Sequence, residues 1–286
     1  MDLGQARAMD VRGVVVPTML YGTAWKEAET ERLVGLALGA GFAGIDTANQ
    51  RKHYCEEDVG RAVRAFTSLT GVRRPFLQTK FTYRRGQDDR LPYDPEAALG
   101  EQVRQSFSSS LKHLGVDRID SYLLHGPEAD RGLTAGDVEV WRMMESLHDA
   151  GLVQLIGVSN IRSDQLLELL RIARVPPAFV QNRFYFRPGP YAEAHDRSVR
   201  ALCSVNDVVY QGFSILTANR DLWGHKALHP IARNHQCTPA QVLLRYVMHL
   251  GILPLTGTTD LAHMCADLTC DGFALDPDEQ AIIAAL

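Results

Sequence analysis

The chain is short of cysteine, has no excess of basic charge and contains no long apolar run. Among 286 residues there are five cysteines, Cys55, Cys203, Cys237, Cys265 and Cys270. An odd count without paired C-x-x-C spacing argues against a disulfide framework or a structural zinc site and leaves reduced thiols. Lys and Arg total 30 against 34 Asp and Glu, a net charge of -4. No basic field therefore draws in nucleic acid or an anionic membrane surface, and a small-molecule partner is expected. No stretch reaches the roughly 18 apolar residues of a membrane span, and the opening "MDLGQARAMDVRG" lacks the apolar core of a signal peptide. These absences place the chain in the cytoplasm. Neither H-x-H nor H-E-x-x-H occurs, so no metal is expected. No G-x-G-x-x-G follows the first apolar run, where a Rossmann dinucleotide site needs glycines to bring backbone close to pyrophosphate.

What is present is one theme repeated. With 45% hydrophobic and 22% charged residues the chain suits a soluble globular protein with a substantial core. Eight short apolar runs, "VVVPTMLYG", "FAGID", "PFLQTKF", "IDSYLLHG", "VQLIGVSN", "AFVQNRFYF", "DVVYQGFS" and "GILPLTG", read as strands. Longer amphipathic segments separate them, such as "AETERLVGLALGAG", "EAALGEQVRQSFSSSLKHLG", "TAGDVEVWRMMESLHDAG" and "RSDQLLELLRIAR", with Gly where a C-cap belongs. Alternating βα units imply a parallel sheet, and eight of them fit a closed (β/α)8 TIM barrel spanning residues 1–286 as a single domain.

In such a barrel the chemistry collects at the C-terminal ends of the strands. The second run ends at Asp46 with Tyr54 on its loop, the third at Lys80, the fourth at His125 and the fifth at Ser159 and Asn160; the sixth carries Gln181 and the seventh Tyr210. With "GIDTA" followed by Tyr and "EEDVG", then "QTKF", "LLHGP", "IGVSN" and the closing "PLTGTTD", the chain resembles the aldo-keto reductases from its first strand to its eighth. The resemblance implies that Asp46, Tyr54, Lys80 and His125 share one active site. It also implies a nicotinamide cofactor, NADPH by family default with NADH not excluded, bound extended on the barrel. One departure falls in the second loop. Family members place the tyrosine five residues beyond the aspartate, whereas that position here is Arg51 and Tyr54 stands eight beyond Asp46, which implies an insertion. His53 and Tyr21 are the alternative donors.

The physical chemistry fits those roles. Hydride reduction of a carbonyl develops negative charge on oxygen, so the site needs a proton donor and dipoles aimed at that oxygen. Tyr54 supplies the proton; Lys80 is the cation expected to lower its phenol pKa, and Asp46 is expected to keep Lys80 charged. A neutral His125 orients the carbonyl by a hydrogen bond. By resemblance, Ser159, Asn160 and Gln181 take the nicotinamide carboxamide and Tyr210 stacks on its ring. Ser214 and Leu216, with Thr217 and Arg220 nearby, face the pyrophosphate, and Thr256, Gly257, Thr258 and Thr259 face the adenosine phosphate. No Lys or Arg stands in register after the eighth strand to pair a 2'-phosphate, so weak discrimination between NADPH and NADH is expected. Trp25, Tyr83, Phe184, Tyr185 and Trp223 are the aromatic candidates for the walls of a substrate pocket. The expected reaction converts an aldehyde or ketone to an alcohol, or the reverse. The alternative is a barrel that binds nicotinamide cofactor as a sensor or regulatory subunit and turns over little.

Overall fold

A computed structural model describes residues 8–189 and 193–286 of the protein. Among the described residues, ten strands run in chain order as β1 (Ala8–Val11), β2 (Val14–Pro17), β3 (Leu20–Gly22), β4 (Gly44–Asp46), β5 (Phe76–Phe81), β6 (Ile119–Leu124), β7 (Val153–Ser159), β8 (Phe179–Arg183), β9 (Val209–Phe213) and β10 (Leu253–Thr256). The last eight close a barrel in the order β10-β3-β4-β5-β6-β7-β8-β9, and every pair in it is parallel. The helices used below are α1 (Thr30–Ala40), α2 (Glu56–Thr70), α3 (Leu99–Leu114), α4 (Ala135–Asp149), α5 (Ser163–Ile172), α6 (Arg197–Val205), α7 (Leu228–Asn234), α8 (Pro239–His249) and α9 (Leu261–Leu268). The expected (β/α)8 architecture is the observed one. Among the described residues no helix is long and apolar enough to cross a membrane.

The first apolar run does not form one strand. It divides at Thr18 and Met19: β2 turns back antiparallel on β1, and only β3 enters the barrel. The hairpin turn consists of Arg12 and Gly13, both at positive φ (53° and 81°), the geometry that a two-residue type I' turn requires. Val11 and Val16 of this hairpin pack with Leu20, Phe76, Phe179 and Leu253 and seal the N-terminal end of the barrel with apolar surface. The Arg12 guanidinium pins it there by donating to the carbonyls of Pro176 (2.6 Å), Pro177 (2.9 Å) and Asp207 (3.2 Å). Reactive groups are thereby confined to the opposite end.

Around the barrel, helices bury one face each on the outward side chains of the strands, such as Tyr21, Ile45, Phe81, Tyr122 and Val180. The α2–α3 contact explains the glycine of "EEDVG". A Cβ on Gly60 would collide with the His113 carbonyl oxygen and lie 2.9 Å from the Leu114 Cα, so the helices approach backbone to backbone. The same crossing carries a buried polar link: Glu56 accepts the Thr79 hydroxyl and meets His113 Nδ1 at 3.0 Å. This clamps the start of α2 to β5, and Tyr54 lies just ahead of that start. Gly60→Ala forces the helices apart and is expected to cost about 1–3 kcal/mol as an overpacked contact. Denaturant unfolding would check this, and a stability unchanged from wild type would show that the crossing adapts.

Candidate active site

Period-two alternation in β4 and β5 sends Asp46 and Lys80 into the barrel, where they are 3% and 1% exposed. Lys80 Nζ bonds both Asp46 oxygens at 2.7 Å and the Thr47 carbonyl at 2.9 Å, so all three ammonium donors are used. Asp46 Oδ1 also accepts the side-chain amides of Gln78 (2.7 Å) and Gln181 (2.9 Å). Both glutamines bond Gln211, and the Ser121 hydroxyl donates to Gln78. A polar layer thus lies directly beneath the ion pair. Burial pulls the Lys80 pKa below its ordinary value, and the Asp46 carboxylate acts against that pull.

Tyr54 and His125 stand above the pair. Lys80 Nζ is 5.7 Å from the centroid of the Tyr54 ring, and the Tyr54 and His125 rings meet edge to face at 5.9 Å. The structure therefore brings together the four residues expected at the site. The longer loop is absorbed by a turn: the amides of His53 and Tyr54 both donate to the Gln50 carbonyl, and Trp25 is tied in through its own amide to the His53 carbonyl. The Tyr54 phenol is pushed above its ordinary pKa by burial first and by the Asp46 charge second, with Arg183 opposing. Its direction is opposite to the expectation from Lys80. At neutral pH the group holds its proton, as a donor must. The His125 imidazole is held at about 3 by burial and by the charges of Lys80 and His53, so it is neutral. Its Nδ1 lies 2.6 Å from the Thr82 hydroxyl. If that hydroxyl donates, the ring proton sits on Nε2. Of the two alternative donors, Tyr21 is excluded: it is fully buried on the outward face with its hydroxyl bonded to the Thr258 carbonyl. His53 is half-buried with its ring 3.5 Å from that of Trp25.

The mouth is lined by parts of the expected cofactor set. The Ser159 hydroxyl donates to the Gln181 carbonyl, and the Asn160 amide donates to the His125 carbonyl and Ser159 Oγ. Ser214, held at positive φ, and Leu216 lie on the segment after β9, which the Trp223 indole closes by donating to the Leu216 carbonyl. Thr256, the last residue of β10, is buried against Asp267, while Gly257 and Thr259 beyond it are exposed; the Thr258 hydroxyl accepts the Asp260 amide. Three expectations need correction. Tyr210 does not reach the mouth, because its neighbour Gln211 takes the inward position; Tyr210 points outward and donates to Asp196 at 2.9 Å. It also lines a cavity of about 410 Å3 shared with Arg197, Arg200 and Cys203, beside the Leu250 and Gly251 turn that precedes β10. Two residues on, alternation returns Phe213 to the inner face, so Phe213 is the aromatic ring at this rim. Tyr83 likewise turns outward to bond Asp137 at 2.8 Å, and Phe184 is fully buried against Phe186 and His195. Tyr185 is half-buried on the loop after β8, while Trp25 is 68% and Trp223 42% exposed.

With the geometry in view, comparison with known proteins decides the family. The model of the Aldo/keto reductase family matches residues 15–286. The chain belongs to this family. An NAD/NADP-dependent indole-3-acetaldehyde reductase of Schizosaccharomyces pombe is 29% identical over 92% of this chain and 88% of its own length. An aldo/keto reductase from Brucella melitensis, solved by crystallography, superposes with a TM-score of 0.80 at 26% identity, over 98% of this chain and 97% of that one. A Bombyx mori aldo-keto reductase crystallised with NADP has a TM-score of 0.80 at 24% identity, over 99% and 93% of the two chains.

Against this family background, sequence reasoning passed over several residues that the aldo/keto reductase fold gathers here. Thr82 and Phe213 are two, and the amides of Gln78 and Gln211 are two more. Lys26 is a fifth: its ammonium bonds the Gly257 carbonyl, so a cation does stand at the exit of β10, donated by the loop after β3. Alternation along β5 from Lys80 would have found Gln78 and Thr82, and along β9 from Gln211 would have found Phe213; nothing local marks Gln211 or Lys26. Lys80→Met strands Asp46 as a buried charge, and breaking such a pair is expected to cost about 3–5 kcal/mol of stability. Asp46→Asn in the same chain should recover part of that loss, because the two residues form one unit. Denaturant unfolding of both single variants and the double variant closes the cycle. Additive losses would show that the pair is not coupled.

Proposed function

We propose that this aldo/keto reductase reduces an aldehyde or ketone to the alcohol with a nicotinamide cofactor, and that Tyr54 donates the proton. The observation that carries the reading is the edge-to-face pair of a neutral imidazole and a protonated phenol above the buried Lys80–Asp46 pair. A carbonyl oxygen seated between Tyr54 and His125 would meet two donors, the phenol O–H and the ring N–H. As negative charge develops on that oxygen, the phenol proton moves to it. Phenolate left behind is stabilised by the ammonium below it. Arg183, whose charge already lowers the Tyr54 pKa, adds to that effect.

The residues at the mouth fit a nicotinamide cofactor. Phe213 offers a ring at the rim, Ser159 and Asn160 add a hydroxyl and an amide at the exit of β7, and Gly257 and Thr259 are exposed at the exit of β10. A bound nicotinamide would supply the hydride. We assign the phosphate end of the cofactor to the segments after β9 and β10. The Schizosaccharomyces pombe relative is named for both NAD and NADP, and the Bombyx mori structure was solved with NADP. These support NADPH with NADH as a second cofactor.

Tyr54→Phe is expected to lower kcat at least about a hundredfold while cofactor affinity holds, the scale of general acid catalysis. With His125 at about 3, the profile of wild-type kcat against pH should show no step from that residue between pH 5 and 8. Steady-state kinetics with a panel of aldehydes decides both, and near-normal turnover by Tyr54→Phe would reject the donor. For the cofactor, the only cation at the exit of β10 among the described residues, Lys26, is occupied by a backbone carbonyl. The ratio of kcat/KM for NADPH over NADH should therefore stay below about a hundredfold, which is under roughly 2.7 kcal/mol. Measured at saturating aldehyde, a preference above about a thousandfold would mean that Lys26 or Arg220 reaches a 2'-phosphate.

A further inference from the structure

Arg183 is the last residue of β8, and the strand's alternation fixes where it faces. Phe179 lies in the apolar layer at the closed end, Gln181 donates to Asp46, and Arg183, two residues on, faces inward at the rim. Its strand neighbour in register is Phe213 of β9, and the guanidinium carbon stands 5.2 Å from the Phe213 ring centroid. A cation–π contact with an aromatic face holds the guanidinium in place without using its N–H donors. Among the described residues Arg183 has no hydrogen bond from its side chain and no ion pair, although it is exposed. Four other arginines around this end are committed: Arg51 to Glu57, Arg90 to Asp88, Arg187 to Asp221, and Arg85 to the Pro127 carbonyl. The charge of Arg183 is also close enough to be felt at the Tyr54 phenol.

An oriented, unpaired guanidinium beside the proton donor is built to receive a planar anion, because its paired N–H groups match a carboxylate. We propose that Arg183 anchors an anionic group of the carbonyl substrate, so that the preferred substrates are aldehydes or ketones carrying a carboxylate. This rests on the reductase reading and names its substrate class. The anion is held on β8 and β9 while its carbonyl reaches Tyr54 and His125. Neutral carbonyls of the same size lack that anchor. Charge-assisted hydrogen bonds of this kind, partly exposed to water, correspond to a preference of about tenfold or more.

The test compares 4-formylbenzoate with its methyl ester, using NADPH. The wild-type protein should favour the carboxylate by about tenfold or more in kcat/KM, chiefly through KM. Arg183→Gln should reduce that ratio about tenfold, and Arg183→Lys, which keeps the charge and loses the fork, should fall between. A wild-type ratio near one, or an unchanged ratio in Arg183→Gln, overturns the proposal. So does a cofactor KM raised about tenfold in Arg183→Gln at a constant ratio, since the guanidinium would then serve a cofactor phosphate. Should neither aldehyde consume cofactor, the reductase reading fails and the anchor is judged by calorimetry on the cofactor-loaded protein. There 4-(hydroxymethyl)benzoate must bind about tenfold more tightly than its methyl ester in wild type and lose that margin in Arg183→Gln, and equal affinities overturn the anchor.

Discussion

The ion pair between Asp46 and Lys80 is the constraint around which the rest of the barrel is arranged. Two charges taken out of water are costly unless every donor and lone pair finds a partner. Here the ammonium uses the two carboxylate oxygens and the Thr47 carbonyl, and the carboxylate takes two amide donors besides. Those amides need partners of their own, which come from Gln211 and Ser121. A layer that an ordinary barrel fills with branched aliphatics is therefore polar in this one. Contributions come from β4, β5, β6, β8 and β9, so the pair is satisfied only when those strands close in register.

The requirement divides the barrel along its axis. Its lower end can be apolar because the β1–β2 hairpin seals it, and the upper end stays open to ligands. Sealing matters electrostatically as well as for packing. Water entering from below would hydrate Lys80 and weaken its field at Tyr54, since Coulomb interactions shrink as the local dielectric rises. Arg12, far from any reacting group, acts on the site by holding that plug in place.

Much of this was legible in the sequence because it is local. A strand exit is a run of apolar residues ending in a reactive one, so Asp46, Lys80, His125 and Ser159 could be placed without long-range information. What alternation decides was missed when its phase was not carried through the run. Tyr210, Tyr83 and Phe184 are aromatic and sit near strand ends, but each falls on the outward phase, while Thr82 and Phe213 fall on the inward one. The hairpin was hidden for another reason: β2 and β3 form one unbroken apolar run, and only the pairing of β2 with β1 shows where it divides. Nothing near them in sequence sets Lys26 and Arg183 apart, since the Gly257 carbonyl and the Phe213 ring that they meet are distant along the chain.

Tyr54 shows why the surrounding charges must be read together. Lys80 was expected to lower its pKa, yet burial and Asp46 raise it. A pKa already compares phenol with phenolate in the same site, so the pull of the nearby cations is included in it. Lys80 is neutralised by Asp46 beneath the ring, so at the phenol the pair acts as a dipole with little net charge, and burial dominates. What changes during reaction is the proton's acceptor: hydride arrival turns the carbonyl oxygen toward an alkoxide, a far stronger base than water. A phenol that is hard to ionise at rest therefore holds its proton until a carbonyl oxygen begins to take it. Its hydrogen bond is weak to a carbonyl and strong to an alkoxide-like oxygen, which is the differential stabilisation that speeds a reaction.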